Sequence, residues 1–147
     1  MALYLVTGGA GFINIFGPRQ NPNGDYAAVI PKFVERMKMG QPPVIYGDGK
    51  QTRDFVYVSD VVRANLAACE SPRAAGHVLN VASGRRISLL ELVDSLNAVL
   101  GTRLAPEFKP ERKGDIRHSA GDSGRMAEWL GLGVATSLAQ GLKHLAA

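Results

Sequence analysis

The sequence contains a single cysteine, Cys69, in 147 residues, which excludes an internal disulfide. No apolar run approaches the roughly 20 residues that a transmembrane helix needs, so we expect no membrane partner. The N-terminus carries no basic leader before its first apolar stretch, which argues against a secretory signal. These absences favour a protein of the reducing cytoplasm.

Charge of either sign is neither abundant nor clustered. The net charge is +4, and the lysines and arginines stand singly, without the interleaved aromatic residues of a nucleic-acid-binding surface. We therefore expect no nucleic-acid partner. The three histidines, His77, His118 and His144, lack the spacing of metal ligands, so no metal site is predicted.

What the chain does contain is the composition of one globular domain, with 46% hydrophobic and 20% charged residues. Short apolar segments predict strands at 3–7, 14–16, 44–46, 54–58, 77–82 and 104–108. Hydrophobic periodicity predicts helices at 27–39, 59–70, 88–100, 123–130 and 136–145. Because strands alternate with helices, the sequence predicts an α/β fold.

Two of these helices have recognisable starts. Ser88 and Glu91 form a capping box at the start of the 88–100 helix. Ser59 is the predicted cap of the 59–70 helix. The larger apolar residues of that second helix are expected to face the interior: Val61, Val62, Leu66 and Cys69.

A glycine turn, Gly8-Gly9-Ala10-Gly11, follows the first predicted strand. Backbone amides in such a turn can approach a pyrophosphate at a helix N-terminus. However, Asn14 stands where a third glycine would stand. Only residues 8–13 lead to the next strand, whereas a parallel crossover needs about a dozen residues or more. A tight strand-to-strand turn without a ligand is the alternative interpretation.

Three blocks downstream of this turn carry a family resemblance. They are residues 14–22 followed by 28–33, residues 45–61, and residues 112–117. Together they resemble the C-terminal half of the extended short-chain dehydrogenases, in particular the UDP-glucose 4-epimerase-like nucleotide-sugar epimerases and dehydratases. The resemblance covers residues 14–147, and residues 3–13 resemble the opening strand and glycine turn of the same family.

The resemblance implies a partial Rossmann-like sheet joined to the substrate-binding part of the family fold. Residues 1–13 would be a remnant of the dinucleotide-binding domain, and residues 14–147 the nucleotide-sugar-binding region. The positions that would contact the family's cofactor, NAD, are Gly8, Gly11, Phe12 and Ile13. Family members use a Tyr-x-x-x-Lys pair and a nearby Ser or Thr for hydride and proton transfer. That stretch, which would lie between Ile13 and Asn14, is absent, so we expect no catalytic residue in this chain.

One segment has the spacing of the catalytic Tyr-x-x-x-Lys pair. Tyr46 and Lys50 stand four residues apart, but Gly47-Asp48-Gly49 lies between them. This sequence favours a turn over the helix that would place both side chains on one face. We therefore assign no catalytic role to Tyr46.

Two arginines are the candidates for binding a diphosphate. Arg53 and Arg112 stand at positions where the family carries arginines, and a planar guanidinium can hold two phosphate oxygens at once. Pairing of each arginine with a surface carboxylate is the alternative. Asp115 matches the acidic residue that meets a ribose or fixes the second arginine, and a loop-capping role is its alternative.

Four further residues complete the predicted substrate site. Val44 and Tyr46 resemble the wall against which a uracil ring lies, with core packing as the alternative. Phe55 occupies a position where some epimerases carry tyrosine. Asn14 matches the family asparagine that touches the sugar diphosphate.

The sequence thus supports two functional hypotheses. The first is a nucleotide-sugar epimerase-like protein that binds a UDP-sugar but does not turn it over alone. The second is a non-catalytic nucleotide-sugar-binding or assembly module, in which uncovered apolar strands and helix faces favour a homo-oligomer. In that oligomer the 3–7 strand could be exchanged onto the sheet of a neighbouring copy. A larger protein of which this sequence is one part is also compatible with the residues.

Overall fold

The computed structural model describes residues 14–21 and 28–146. Within them lie six short strands: β1 (Ile15–Phe16), β2 (Val44–Tyr46), β3 (Thr52–Arg53), β4 (Val56–Tyr57), β5 (Ile87–Ser88) and β6 (Glu107–Lys109). The same residues contain five helices: α1 (Val29–Lys38), α2 (Val58–Glu70), α3 (Leu89–Leu100), α4 (Gly124–Leu130) and α5 (Leu138–Ala146). This alternation confirms the predicted α/β fold.

The strands pair two by two. β1 runs parallel to β4, β2 runs parallel to β6, and β3 runs antiparallel to β5. In the β2–β6 pair, Tyr46 lies opposite Lys109, and the amide of Gly47 donates to the carbonyl of Lys109 at 2.9 Å. This last bond extends the pairing beyond the end of β2. It brings the segment that follows β6 alongside the loop that follows β2.

The main core gathers side chains from three helices, α1, α3 and α5, and from three strands, β1, β2 and β4. Ile30 of α1, Ile45 of β2, Leu92 of α3 and Leu142 of α5 belong to one cluster, and each is at most 1% exposed. α3 carries the predicted capping box, in which the Ser88 hydroxyl accepts from the Glu91 amide. Hydrogen bonds from Ser88 lower the pKa of the Glu91 carboxyl. The predicted start of this helix is therefore confirmed.

The C-terminal helix α5 packs on the β1–β4 pair through a glycine. A Cβ added at Gly141 would lie 2.6 Å from the ring of Phe16 and 2.9 Å from the ring of Tyr57, so no larger residue fits without a shift. The Tyr57 hydroxyl is also hydrogen-bonded to Nδ1 of His144, at 3.1 Å. These contacts fix α5 on one face of the parallel pair.

Helix α2 turns to the interior a different face from the one predicted. Its buried apolar residues are the small ones, Ala64 and Ala68, each 1% exposed. They belong to the clusters to which α4 and residues 79–81 contribute, and alanine lets the helix approach these neighbours closely. The larger apolar residues point outward and form what we call the outer face of α2: Val58, Val62, Leu66 and Cys69. The expectation that Val62, Leu66 and Cys69 are buried is therefore wrong, whereas Val61 is half-buried against the core.

Two local predictions are also wrong. α2 begins at Val58 without a side-chain cap, so Ser59 does not cap it. The 77–82 segment is not a strand, because it pairs with no strand of the described residues. It nevertheless buries Leu79 and Val81, which explains the apolar pattern that suggested a strand.

The predicted 3–7 strand and the glycine turn lie outside the described residues. Among the residues that are described, no helix is both long enough and apolar enough to cross a bilayer.

Candidate functional site

An open cleft of about 690 Å³ lies between α1, β2 and the segment that follows β6. Six of the seven predicted substrate-binding residues line it: Asn14, Val44, Tyr46, Arg53, Arg112 and Asp115. The seventh, Phe55, is 6% exposed in the core, where its ring packs edge-on against Phe16. The fold thus joins three distant parts of the sequence into one site.

Tyr46 and Arg112 are in direct contact, although the sequence assigned them to different parts of a ligand. The Arg112 guanidinium carbon lies 3.7 Å from the centroid of the Tyr46 ring, in cation–π geometry. Hydrogen bonding from Arg112, followed by its positive charge, lowers the pKa of the Tyr46 hydroxyl. The charges of Lys109 and Lys32 lower this pKa further. Arg112 therefore covers a face of the ring that the sequence assigned to a uracil.

Arg53 and Asp115 form the second contact within the cleft. Their atoms Nη2 and Oδ1 are 2.8 Å apart, and the Arg53 side chain is only 14% exposed. Nη1 of Arg53 also donates to the carbonyl of Thr52 at 2.9 Å. Asp115 thus holds Arg53, whereas the sequence suggested that it would meet a ribose or hold Arg112. The guanidinium is held in one orientation at the wall of the cleft.

Two carboxylates hold the loops around the cleft. Asp54, which is 4% exposed, accepts hydrogen bonds from backbone amides in the loops at 83–84 and at 121. Asp48 pairs with Arg117 at 2.7 Å, and the hydrogen bond from Arg117 lowers the pKa of the Asp48 carboxyl. The loop after β2 is thereby tied to the segment after β6, so the two walls of the cleft are connected.

The N-terminal end of the site is described only in part. Asn14 lines the cleft, and its Nδ2 lies 3.4 Å from the hydroxyl oxygen of Ser119. The four predicted NAD-contacting residues lie outside the described residues: Gly8, Gly11, Phe12 and Ile13.

Several polar residues of the cleft were not predicted. The lining includes six cationic side chains and two carboxylates: Lys32, Arg36, Arg53, Lys109, Arg112 and Lys113, with Glu35 and Asp115. Gln51 lines the same cleft. Its position two residues before Arg53 is a sequence signal for it, because alternate residues of an extended segment share a face. The excess of positive charge favours an anionic ligand.

The arrangement is suited to binding and offers little for chemistry. Guanidinium groups can hold phosphate oxygens, and an aromatic ring can pack against a planar base. Within the described part of the chain, no group of three His, Cys, Asp or Glu side chains is placed to hold a metal ion. The fold and the cleft define an α/β protein with an open cleft in which cationic side chains outnumber carboxylates.

Comparisons with known proteins place this class in one family. Residues 12–82 match the model of the NAD dependent epimerase/dehydratase family. The UDP-glucose 4-epimerase of Mycolicibacterium smegmatis is 40% identical over 129 residues, which are 88% of this chain and 41% of that protein. The crystal structure of UDP-glucose 4-epimerase from Thermotoga maritima with UDP-glucose matches with a TM-score of 0.84 and 43% identity. That match covers 90% of this chain and 42% of the other.

A further solved relative was crystallised with a cofactor. UDP-glucuronic acid 4-epimerase from Bacillus cereus, in complex with UDP-glucuronic acid and NAD, matches with a TM-score of 0.80 and 28% identity. The match covers 89% of this chain and 41% of that protein. Over residues 12–82 the chain matches the NAD dependent epimerase/dehydratase family, and it is similar to UDP-glucose 4-epimerases. It spans about two fifths of the length of these relatives.

Proposed function

We propose that this chain binds a nucleoside diphosphate sugar of the UDP-sugar class in the cleft and does not catalyse epimerisation alone. One observation carries the proposal: Tyr46, Arg53, Arg112 and Asp115 line a single cleft. These side chains suit a planar base, a diphosphate and a ribose. Two solved relatives hold UDP-glucose and UDP-glucuronic acid, which supports the choice of ligand.

Ligand binding would rearrange Arg112. In the described structure its guanidinium lies on the Tyr46 ring, and Arg53 is already held by Asp115. A uracil that packs on Tyr46 displaces Arg112 from the ring, and the released guanidinium is then available to the diphosphate. Arg53 needs no such movement, because the site is preorganised around it.

Tyr46 and Lys50, which have the spacing of the catalytic pair, are not placed to replace it. Gly47 and Gly49 have φ angles of 86° and 76°, so Tyr46 and Lys50 are separated by a turn and do not share a helical face. NAD supplies the hydride chemistry in the family. In our proposal the chain has no nucleic-acid partner, acts in the cytoplasm, and does not turn over a sugar without a complete NAD-binding domain.

Titration calorimetry with UDP and UDP-glucose tests this proposal. We expect saturable binding to the wild-type chain and a loss of about 10-fold or more in affinity for each of Arg53→Ala and Arg112→Ala. Arg86→Ala is the matched control, because Arg86 is exposed and lies outside the cleft. No binding by the wild-type chain, or equal losses in all three variants, would contradict the proposal.

A second candidate function is assembly into a homo-oligomer. The observation that favours it is the outer face of α2, on which Val62 is 52% and Leu66 is 63% exposed. In addition, β1 pairs only with β4 among the described strands, and strand exchange in the proposed oligomer would use its other edge. Association through either surface leaves the cleft free to bind a nucleotide sugar.

A further inference from the structure

Gln51 is a buried amide between the two ends of the cleft. The residue is 5% exposed, and it lines the cleft between Tyr46 and Arg53. Its Nε2 donates to the carbonyl of Tyr46 at 2.7 Å. Its Oε1 is buried and has no hydrogen-bond partner among the described residues.

The orientation of the amide follows from its one partner. The carbonyl of Tyr46 can only accept a hydrogen bond, so the NH₂ end of Gln51 must face it. The Oε1 end therefore lacks a donor, and exchanging the two ends would place two acceptors together. This leaves a buried acceptor without a donor, which an N–H or O–H group of a ligand reaches only when binding opens the packing around it.

The backbone around β3 shows which way the side chain faces. Thr52 directs its hydroxyl to Nδ1 of His118 at 3.0 Å, whereas Arg53 pairs with Asp115. Since successive side chains of an extended segment alternate, Gln51 and Arg53 lie on the same side, and both line the cleft. The free acceptor thus lies beside the groups proposed to hold the diphosphate and next to the strand proposed to hold the base.

We propose that Oε1 of Gln51 accepts a hydrogen bond from a ribose hydroxyl of the bound nucleotide. A diphosphate at neutral pH offers no donor, and the ribose is the donor-bearing group that joins the phosphates to the base. Satisfying a buried acceptor favours the ligand that carries the hydroxyl over one that lacks it. The inference rests on the proposed function, and it makes Gln51 a specificity-determining residue for the ribose.

A single water molecule is the competing occupant. A small cavity of about 10 Å³, lined by Tyr46, Gln51, Asp115 and Arg117 among others, adjoins the amide. This volume is close to the smallest that holds one water molecule. A water there would satisfy Oε1 without the ligand, and the nucleotide would then gain nothing from its ribose hydroxyl at this position.

Affinities for UDP, 2′-deoxy-UDP and 3′-deoxy-UDP, measured by calorimetry on the wild-type chain, test the proposal. We expect at least one deoxy analogue to bind about 10-fold more weakly than UDP. In Gln51→Met this difference should disappear, while Gln41→Met, at an exposed position outside the cleft, should keep it. If Gln51 has only a structural role, Gln51→Met should lower the affinity for all three nucleotides equally, and the ratios of these affinities should not change.

The outcomes separate the two proposals. Equal binding of the three nucleotides to the wild-type chain would overturn the role of Gln51 and leave the proposed function standing. This comparison requires no variant, so it holds even where Gln51→Met fails to fold. Retained discrimination in a folded Gln51→Met would also overturn it. Absence of any binding to the wild-type chain would overturn the proposed function and this inference with it.

Discussion

The two parallel strand pairs of this molecule are built alike but covered differently. In the β2–β6 pair, Ile45 is fully buried in the cluster that also contains Ile30 and Leu92. In the β1–β4 pair, Phe16, Val56 and Tyr57 are all buried, whereas every residue of β6 is exposed. The helix that follows β4 leaves Val62 and Leu66 largely exposed.

The difference separates a region with an open cleft from a region with an exposed apolar helix face. Parallel strands are normally covered on both faces and belong to sheets of more than two strands. The β2–β6 region buries Ile45 on one face, while Val44 and Tyr46 on the other face line the cleft. The β1–β4 region is covered by α5 and by the alanine face of α2, and its exposed apolar surface is the outer face of α2. We infer that ligand binding depends on the first region and association on the second.

Truncating one leucine in each region should produce the largest difference in unfolding free energy between them. Leu92 is fully buried in α3, so Leu92→Ala should destabilise the fold by about 2–5 kcal/mol. Leu66 is 63% exposed in α2, so Leu66→Ala should change stability by less than about 0.5 kcal/mol. Urea unfolding followed by the fluorescence of Trp129, the single tryptophan, measures both. Equal losses would mean that the outer face of α2 is covered in solution.

The sequence predicted α3 correctly and α2 only in part, for a physical reason. In α3 a capping box precedes a stripe of large apolar residues, and both signals point to the same buried face. In α2 the large residues and the alanines lie on different faces, and hydrophobicity alone favours the larger ones. Ala64 and Ala68 are buried instead because α2 packs closely against α4 and residues 79–81, which are distant in sequence.

The predicted site lies largely in one place, but its internal contacts did not follow from the sequence. The family resemblance indicated Arg53, Arg112 and Tyr46 because they lie in recognisable blocks. The stacking of Arg112 on Tyr46 depends on the parallel pairing of β2 with β6, which links segments far apart in the chain. Lys32 lies in a segment that the resemblance covers, but its place in the cleft depends on how α1 packs and was not predicted.

The capping box of α3 predicts a second, smaller difference in stability between α3 and α2. Ser88→Ala removes the cap of α3 and should cost about 1 kcal/mol, whereas Ser59→Ala, near the uncapped start of α2, should cost close to nothing. Unfolding in urea at neutral pH measures both variants. A comparable loss from Ser59→Ala would contradict the difference between the two helices.

The same capping box has a defined pH dependence. The folded pKa of Glu91 lies below its unfolded value, because Ser88 donates to the carboxylate. Its contribution is therefore present above the unfolded pKa and is lost as the pH falls through the lowered folded pKa. The difference in unfolding free energy between the wild-type chain and Glu91→Gln should shrink as the pH falls from 7 through about 4. A difference that grows on acidification would contradict this sign.

A double substitution on the outer face of α2 should change stability least, and it tests association through that face directly. Replacing Val62 and Leu66 together by serine should leave the unfolding free energy nearly unchanged and lower the mass measured by light scattering at micromolar concentration. Val78→Ser is the matched control, because Val78 is 57% exposed but lies outside α2.

A wild-type chain that is already monomeric would contradict the assembly proposal. A dimer that persists in the serine variant would exclude α2 and favour strand exchange at the edge of β1. Unchanged UDP affinity in this variant would confirm that binding and association belong to separate regions.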